Sequence, residues 1–276
     1  MRKIKYPLVV SDFDGTLARR DGTIGKKTIE AIERYIQDGG IFAISTGRMP
    51  SAILPRAREL GLKGLLCCGQ GSVIMDIESG EVLMQGRLSL DLSIRICKKM
   101  EEMGLHTHAY DLYDYYSNTD DEALRLYEEA VKEKAKLVLD KPLWKYIEET
   151  GFRSFKFLAM VEPQKAPAIL AELSAENFEN CVVTKSAKFL VEVCNAAYSK
   201  GTSIEFLAKE YNIPITGTIA VGDQWNDLPM IEKAGLGLAV ANGAEELKAS
   251  ATVLPYSNEE DAIAYVIENY AYTTEE

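Results

Sequence analysis

Short apolar runs alternate with amphipathic helical stretches at both ends of this chain, and the stretch between them breaks the rhythm. In the first third, "PLVVS", "IFAIS" and "LLCC" read as buried strands separated by helices over about Thr23 to Asp38 and Pro50 to Leu60. Ile29, Ile32 and Ile36 recur at helical spacing, and Gly39-Gly40 supplies a stop. From Ser199 the alternation resumes: "SKGTSIEFLAKEYN" is helical, "TIAVGD" a strand and "NDLPMIEKAG" a helix. "GLAVAN", "EELKAS", "ATVL" and "EEDAIAYVIENY" continue it. Strands separated by helices pair in parallel, with the helices covering both sheet faces. The expected fold is therefore α/β, a doubly wound and mostly parallel sheet built from residues 1–83 and 195–276. Between them, "HTHAY", "YDYYS", "SFKFLAMV", "CVVT" and "FLVEV" are strand-like, and "SLDLSIRICKKMEEMG" puts Leu92, Ile96, Met100 and Met103 on one helical face. This reads as an inserted α+β module over residues 84–194.

At 276 residues and 47% hydrophobic, the chain can bury a substantial core. A formal charge of −11 argues against a general nucleic-acid or anionic-membrane surface, so an anionic ligand must be held locally. No apolar stretch is long enough to span a bilayer, and "MRKIKYPLVVSDFDG" lacks the apolar region of a secretory signal. Cys67, Cys68, Cys97, Cys181 and Cys194 show no zinc-type spacing, which suggests reduced thiols and a cytoplasmic location. Nothing indicates an oligomeric state.

In an open α/β sheet, ligands bind outside the carboxyl ends of the strands. Polar groups cluster at four such places: Asp12 and Asp14 after the first strand; Ser45, Thr46, Gly47 and Arg48 after the second; Lys200 at a helix start; and Asp223, Asn226 and Asp227 after a late strand. Asp12 and Asp14 are one residue apart on an extended segment, so both can serve one site while Phe13 packs inward. Four carboxylates this close need a cation, and an all-oxygen set suits a partly hydrated Mg²⁺ held with a substrate phosphate. Asp12 could then attack a phosphoryl group in line and form an aspartyl phosphate, with Asp14 as general acid and then base. Thr46, the Gly47 N–H and Lys200 could hold the non-transferring oxygens.

Together "DFDGTL", "STGR", "SKG" and "GDQWND" resemble the four motifs of the haloacid dehalogenase superfamily of phosphatases, over nearly the whole chain. The long insertion and the closing "VANGAEELKASA" resemble the Cof-type members, which carry a C2B cap on a Rossmann-like core. The resemblance implies Asp12 as nucleophile, Asp14 as acid/base, and Thr46, Gly47, Lys200 and Asn226 around the phosphate. It further implies Mg²⁺ on Asp12, the Asp14 backbone carbonyl and Asp223, with Asp227 close by, through water. Where such proteins often have Asn-Gly after the third strand this chain reads Gln70-Gly71, Gln224 follows the fourth-motif Asp, and "CNAAYSKG" lacks the usual Pro-Gly approach to the lysine.

The expected activity is Mg²⁺-dependent hydrolysis of small phosphate esters, sugar phosphates foremost. A phosphomannomutase-like phosphotransferase and a non-catalytic phosphate-binding regulator are the alternatives. Arg48 and Lys156 are candidates for substrate selection. His106 and His108 could share a strand face, but without a third ligand nearby a structural role is expected. The tyrosines of "AYDLYDYYSN" either cover the inserted sheet or line the cleft, and Trp225 either packs at the base of its helix or shapes that cleft.

Overall fold

The computed structural model describes residues 2–273. The first segment runs β1 (Leu8–Ser11), α1 (Lys26–Gln37), β2 (Ile41–Ile44), α2 (Pro50–Glu59), β3 (Leu65–Cys68), β4 (Val73–Asp76) and β5 (Val82–Gln85). The middle runs α3 (Leu90–Glu102), β6 (His106–Tyr110), β7 (Tyr115–Ser117), α4 (Glu122–Val131), β8 (Lys136–Leu137), α5 (Leu143–Thr150), β9 (Lys156–Met160), α6 (Ala166–Ala175), β10 (Cys181–Ala187) and β11 (Leu190–Asn195). The last runs α7 (Lys200–Glu210), β12 (Thr218–Gly222), α8 (Leu228–Lys233), β13 (Leu236–Ala239), α9 (Glu245–Lys248), β14 (Thr252–Val253) and α10 (Ala262–Tyr270).

The order β14-β13-β12-β1-β2 makes a sheet in which every neighbour is parallel. Successive side chains on each strand enter opposite layers. Val9, Phe42, Ile44, Ile219, Val221 and Leu238 pack with Ile32 and Tyr35 of α1 and with Val266 and Ile267 of α10. Leu8, Val10, Ala43, Ala220 and Ala239 pack on the other face with Ile204 and Leu207 of α7 and with Met230 of α8. Burial on both faces is why these strands read as unbroken apolar runs instead of alternating ones.

The rhythm misleads at three points. The first helix begins at Lys26 instead of about Thr23, because Gly25 is still extended (φ −63°, ψ 142°). "LLCC" meets the parallel sheet only through a Ser45–Cys67 bridge. Gly69, Gln70 and Gly71 then take φ of 55°, 60° and 90°, and this left-handed run reverses the chain into an antiparallel β3-β4-β5 sheet. Such backbone is open to glycine and strained for Gln70. Met84, where the rhythm places the start of the insertion, lies inside β5.

The middle segment forms a six-stranded sheet, β10-β11-β9-β6-β7-β8, antiparallel except for β7 with β8. Phe157, Ala159, Val191 and Val193 face α3, α5 and α6 through Ile96, Met100, Leu143, Ile147 and Leu173. The alternate residues, Lys156, Leu158 and Met160 on β9 and Leu190 and Glu192 on β11, therefore point to the opposite face, toward the parallel sheet. The chain leaves the first segment at Gly86 and returns past Tyr198; a Cβ on Gly86 would lie 2.4 Å from the Tyr198 ring, so the two crossings touch.

His106 and His108 share a face of β6, with their Nε2 atoms 3.1 Å apart. His106 also meets Ser117 Oγ at 3.2 Å and, through Nδ1, Asp121 at 3.2 Å, while His108 stacks among Tyr110, Tyr115 and Tyr127. Burial pushes both imidazoles below their ordinary pKa, which keeps them neutral packing groups.

Candidate active site

Because β1, β2 and β12 run parallel, the residues that follow them emerge at one edge of the sheet. The Asp12 N–H donates to the Val221 carbonyl at 2.9 Å and the Ser45 N–H to the Ser11 carbonyl at 2.9 Å, so the ladder holds both turns. Lys200 opens α7 behind a Ser199 cap reciprocated by Thr202. Asp227 Oδ2 accepts from the N–H groups of Asp223 and Gln224 at 2.8 and 2.9 Å, which fixes the turn after β12.

The buried Lys200 ammonium donates to Asp12 and, at 2.6 Å, to Asp227 Oδ1. Asp12, Asp223 and Asp227 are all buried and offer carboxylate oxygens within 4.8 Å of one another. Thr16 Oγ1 donates to Asp223 Oδ1 at 2.9 Å, and Gln224 Nε2 to Oδ2 at 3.1 Å. Gly15 is required twice over: its φ is +77°, and a Cβ there would stand 2.6 Å from Asp223 Oδ2.

Burial raises the Asp12 pKa well above the ordinary carboxylate value; Lys200 opposes the rise and Asp227, Asp223 and Asp14 add to it. Burial, then Asp227, pushes Asp223 up to about 6 against the hydrogen bonds from Gln224 and Thr16. Burial alone would lower the Lys200 pKa, but Asp12 and Asp227 outweigh it and the net shift is upward. Three buried carboxylates lie together with one ammonium, which pairs with Asp12 and Asp227. That imbalance, in an all-oxygen donor set, fits a hard divalent cation.

The Asp14 carboxylate stands outside this trio, 54% exposed, in a fork from the Arg48 guanidinium at 2.7 and 2.8 Å. It nevertheless lines the same cavity as Asp12, Thr46, Gly47, Arg48 and Asn226, a space of about 450 Å³. Thr46 is buried and its Oγ1 accepts from the Arg48 N–H at 3.1 Å. Arg48 therefore orients Asp14 and does not project free into the cavity. Replacing it with Lys keeps the charge but loses the fork; we expect kcat to fall about 10- to 100-fold with KM changing less, read in steady-state kinetics.

Lys156 reaches the cavity from β9, but its ammonium is committed: it donates to the Gly47 carbonyl at 2.9 Å and to Glu192 Oε2 at 3.1 Å. Glu192 was not among the expected residues. It also receives Ser186 Oγ and, at 3.2 Å, Gln70 Nε2, whose Oε1 accepts from Asn226 Nδ2 at 3.0 Å. A buried polar chain thus runs from the inserted sheet to both loops of the parallel sheet. A lone acid inside the apolar "FLVEV", matched by a lone base inside "SFKFLA", is the signal that marks it. The Asn226 Oδ1 is buried with no partner among the described residues. Trp225 is half-buried, with the Lys185 ammonium of β10 5.5 Å from its ring. Tyr110 and Tyr115 line a small side cavity next to Arg48.

The profile of the haloacid dehalogenase-like hydrolases matches residues 9–267. Phosphatase YwpJ of Bacillus subtilis is 27% identical, over 95% of this chain and 99% of its own. The 5-amino-6-(5-phospho-D-ribitylamino)uracil phosphatase YitU of the same organism is 25% identical, over 95% and 97%. The solved structure of a haloacid dehalogenase-like hydrolase from Bacteroides thetaiotaomicron superposes with a TM-score of 0.82 at 25% identity, covering 96% of this chain and 99% of that one. With the profile spanning the motifs that assemble here, the chain belongs to the haloacid dehalogenase-like hydrolases.

Proposed function

We propose that this protein is a Mg²⁺-dependent phosphatase that hydrolyses small phosphorylated metabolites through a phosphoryl group carried on Asp12. The observation that carries the reading is the buried trio Asp12, Asp223 and Asp227 with Lys200 at its centre, opening on a cavity large enough for more than phosphate. In this reading residues 1–83 and 195–276 form the catalytic core and residues 84–194 the cap. Sugar phosphates are the class the sequence brings forward, and the name of YitU describes a phosphorylated ribityl chain bearing a uracil. Free cysteines, four of the five buried, support a reducing compartment, hence the cytoplasm.

Asp12 and Asp223 would hold Mg²⁺, joined by the Asp14 carbonyl, with Asp227 close by, through water. When bound, the cation neutralises the carboxylates and stabilises charge on the transferring phosphoryl group. Asp12 attacks phosphorus while the bond to the leaving oxygen breaks, and Asp14 gives that oxygen its proton. Asp14 then takes a proton from water as the water oxygen attacks phosphorus, which releases inorganic phosphate and regenerates Asp12. Lys200 and Asn226, with the Thr46 hydroxyl and the Gly47 N–H, bind the non-transferring oxygens.

The test is a panel of phosphate esters assayed for released phosphate with Mg²⁺, then with EDTA. Turnover with Mg²⁺ that EDTA abolishes supports the proposal; undiminished turnover in EDTA removes the cation from it. The cluster also fixes a pH dependence. Asp223 binds its proton more tightly folded, at about 6, than at its ordinary 3.8. The folded state thus holds the extra proton, and its stability falls as pH rises from about 4 through 6. Without metal, Tm is expected to drop across that window, and added Mg²⁺ to raise Tm most above it. A flat metal-free profile would contradict the raised carboxylate.

A further inference from the structure

Resting on the phosphatase reading, we propose that Glu192 and Gln70 are positioning residues: Glu192, from the inserted sheet, fixes the direction of the Gln70 amide, and Gln70 in turn sets Asn226 to meet the substrate phosphate with its NH₂ group. Neither binds the phosphate itself, since Glu192 is an anion and both ends of the Gln70 amide are taken. Glu192 is buried on β11, where its Oε2 receives the Lys156 ammonium at 3.1 Å and Gln70 Nε2 at 3.2 Å, and its Oε1 receives Ser186 Oγ. A carboxylate paired with an ammonium offers acceptors only. The end of the Gln70 side chain that meets it is therefore the nitrogen, which leaves the carbonyl at the other end. That carbonyl accepts from Asn226 Nδ2 at 3.0 Å. The same rule then holds at the next contact: an oxygen facing Asn226 admits its NH₂ and repels its carbonyl.

Gln70 is held on every side. Its φ is 60°, its N–H donates to the Thr46 carbonyl at 3.1 Å, and its amide lies so close to Gly47 that a Cβ there would stand 2.6 Å from Nε2. A non-glycine residue kept in left-handed backbone by its surroundings points to a positioning task. The consequence shows at Asn226, whose Oδ1 is buried with no partner among the described residues. Turning that amide over would set Oδ1 against Gln70 Oε1, so the relay holds the orphaned acceptor where it is. What the arrangement secures is the nitrogen. Nδ2 carries two hydrogens and Gln70 takes one, which leaves the second for a phosphate oxygen in the cavity that Asn226 lines. A carbonyl presented there instead would repel the anion.

Product inhibition by inorganic phosphate tests this on the full chain with Mg²⁺, using the most rapidly hydrolysed ester of the phosphate-ester panel. Asn226→Ala is expected to raise the phosphate Ki about tenfold. Gln70→Met cuts the relay while leaving Lys156 paired with Glu192, and should raise Ki about tenfold as well. Glu192→Asp keeps the charge but draws the carboxylate back from Gln70, and should raise Ki about threefold. Because both act through Asn226, neither should add to Asn226→Ala: each double variant stays at about tenfold. Thermal melts check that the variants fold; if Gln70→Met melts too early to assay, the Glu192→Asp cycle decides alone. A role in packing only would multiply the losses, so a Gln70→Met/Asn226→Ala Ki raised about 100-fold overturns the proposal. An unchanged Ki in any of the single variants also overturns it, and each of these outcomes leaves the phosphatase reading standing. Release of phosphate from no ester of the panel overturns that reading, and this proposal with it.

Discussion

Asp12→Asn is expected to lower kcat by at least about 10⁴-fold while leaving the protein folded and, in EDTA, at least as heat-stable as the parent. The two halves have one cause. Asp12 is buried beside Asp223 and Asp227 with one ammonium to share, so burial and like charge disfavour its ionised form. The amide removes that charge and leaves Lys200 paired with Asp227 at 2.6 Å. It also removes the nucleophile, and no other side chain in the trio can replace it, because Asp227 is turned into its own loop by the N–H groups of residues 223 and 224. Kinetics together with a thermal melt in EDTA check both. A variant that turns over at a tenth of the parental rate would exclude Asp12 as the nucleophile; one that melts well below the parent would show that its charge stabilises the fold.

The second large effect lies above the cavity. Lys156→Met should destabilise the protein by about 3–5 kcal/mol, because the buried Glu192 carboxyl loses its cation and keeps only neutral donors, Ser186, Gln70 and the weak thiol of Cys194. Replacing both partners, Lys156→Met with Glu192→Leu, should recover most of that loss, since a dry apolar pair of similar volume carries no desolvation penalty. Activity should not recover with it. The Gly47 carbonyl loses its donor in both variants, so kcat/KM is expected to stay about tenfold down. Urea denaturation and steady-state kinetics on the two single variants and the double separate these outcomes. Recovery of stability and activity together would make the pair a structural feature only.

Much of this was legible in the sequence, and the parts that were not share a reason. β1, β2 and β12 bury both faces, so their composition alone marks them, and the polar residue that ends each run had to lie at the sheet edge. The trio follows from that edge, whereas Lys200 opens α7 after the inserted sheet. Glu192 did not, because a charge in a strand gains meaning only from what it faces, and its partners Lys156 and Gln70 lie 36 and 122 residues away in the chain. Lys156 was visible as a base in an apolar run, but its orientation toward Gly47 depends on how the two sheets meet. The reversal at Gly69–Gly71 was hidden for another reason: Gln70 takes a backbone conformation its side chain disfavours, and tertiary contacts impose it.

The contact between Gly86 and Tyr198 ties together the two crossings of the chain between the sheets. The ring carried by one crossing seats on the bare backbone of the other, a fit that only a residue without a side chain leaves open. A methyl group at residue 86 would have to displace an aromatic ring, so the seam between the two crossings would reset without any residue around the phosphate being touched.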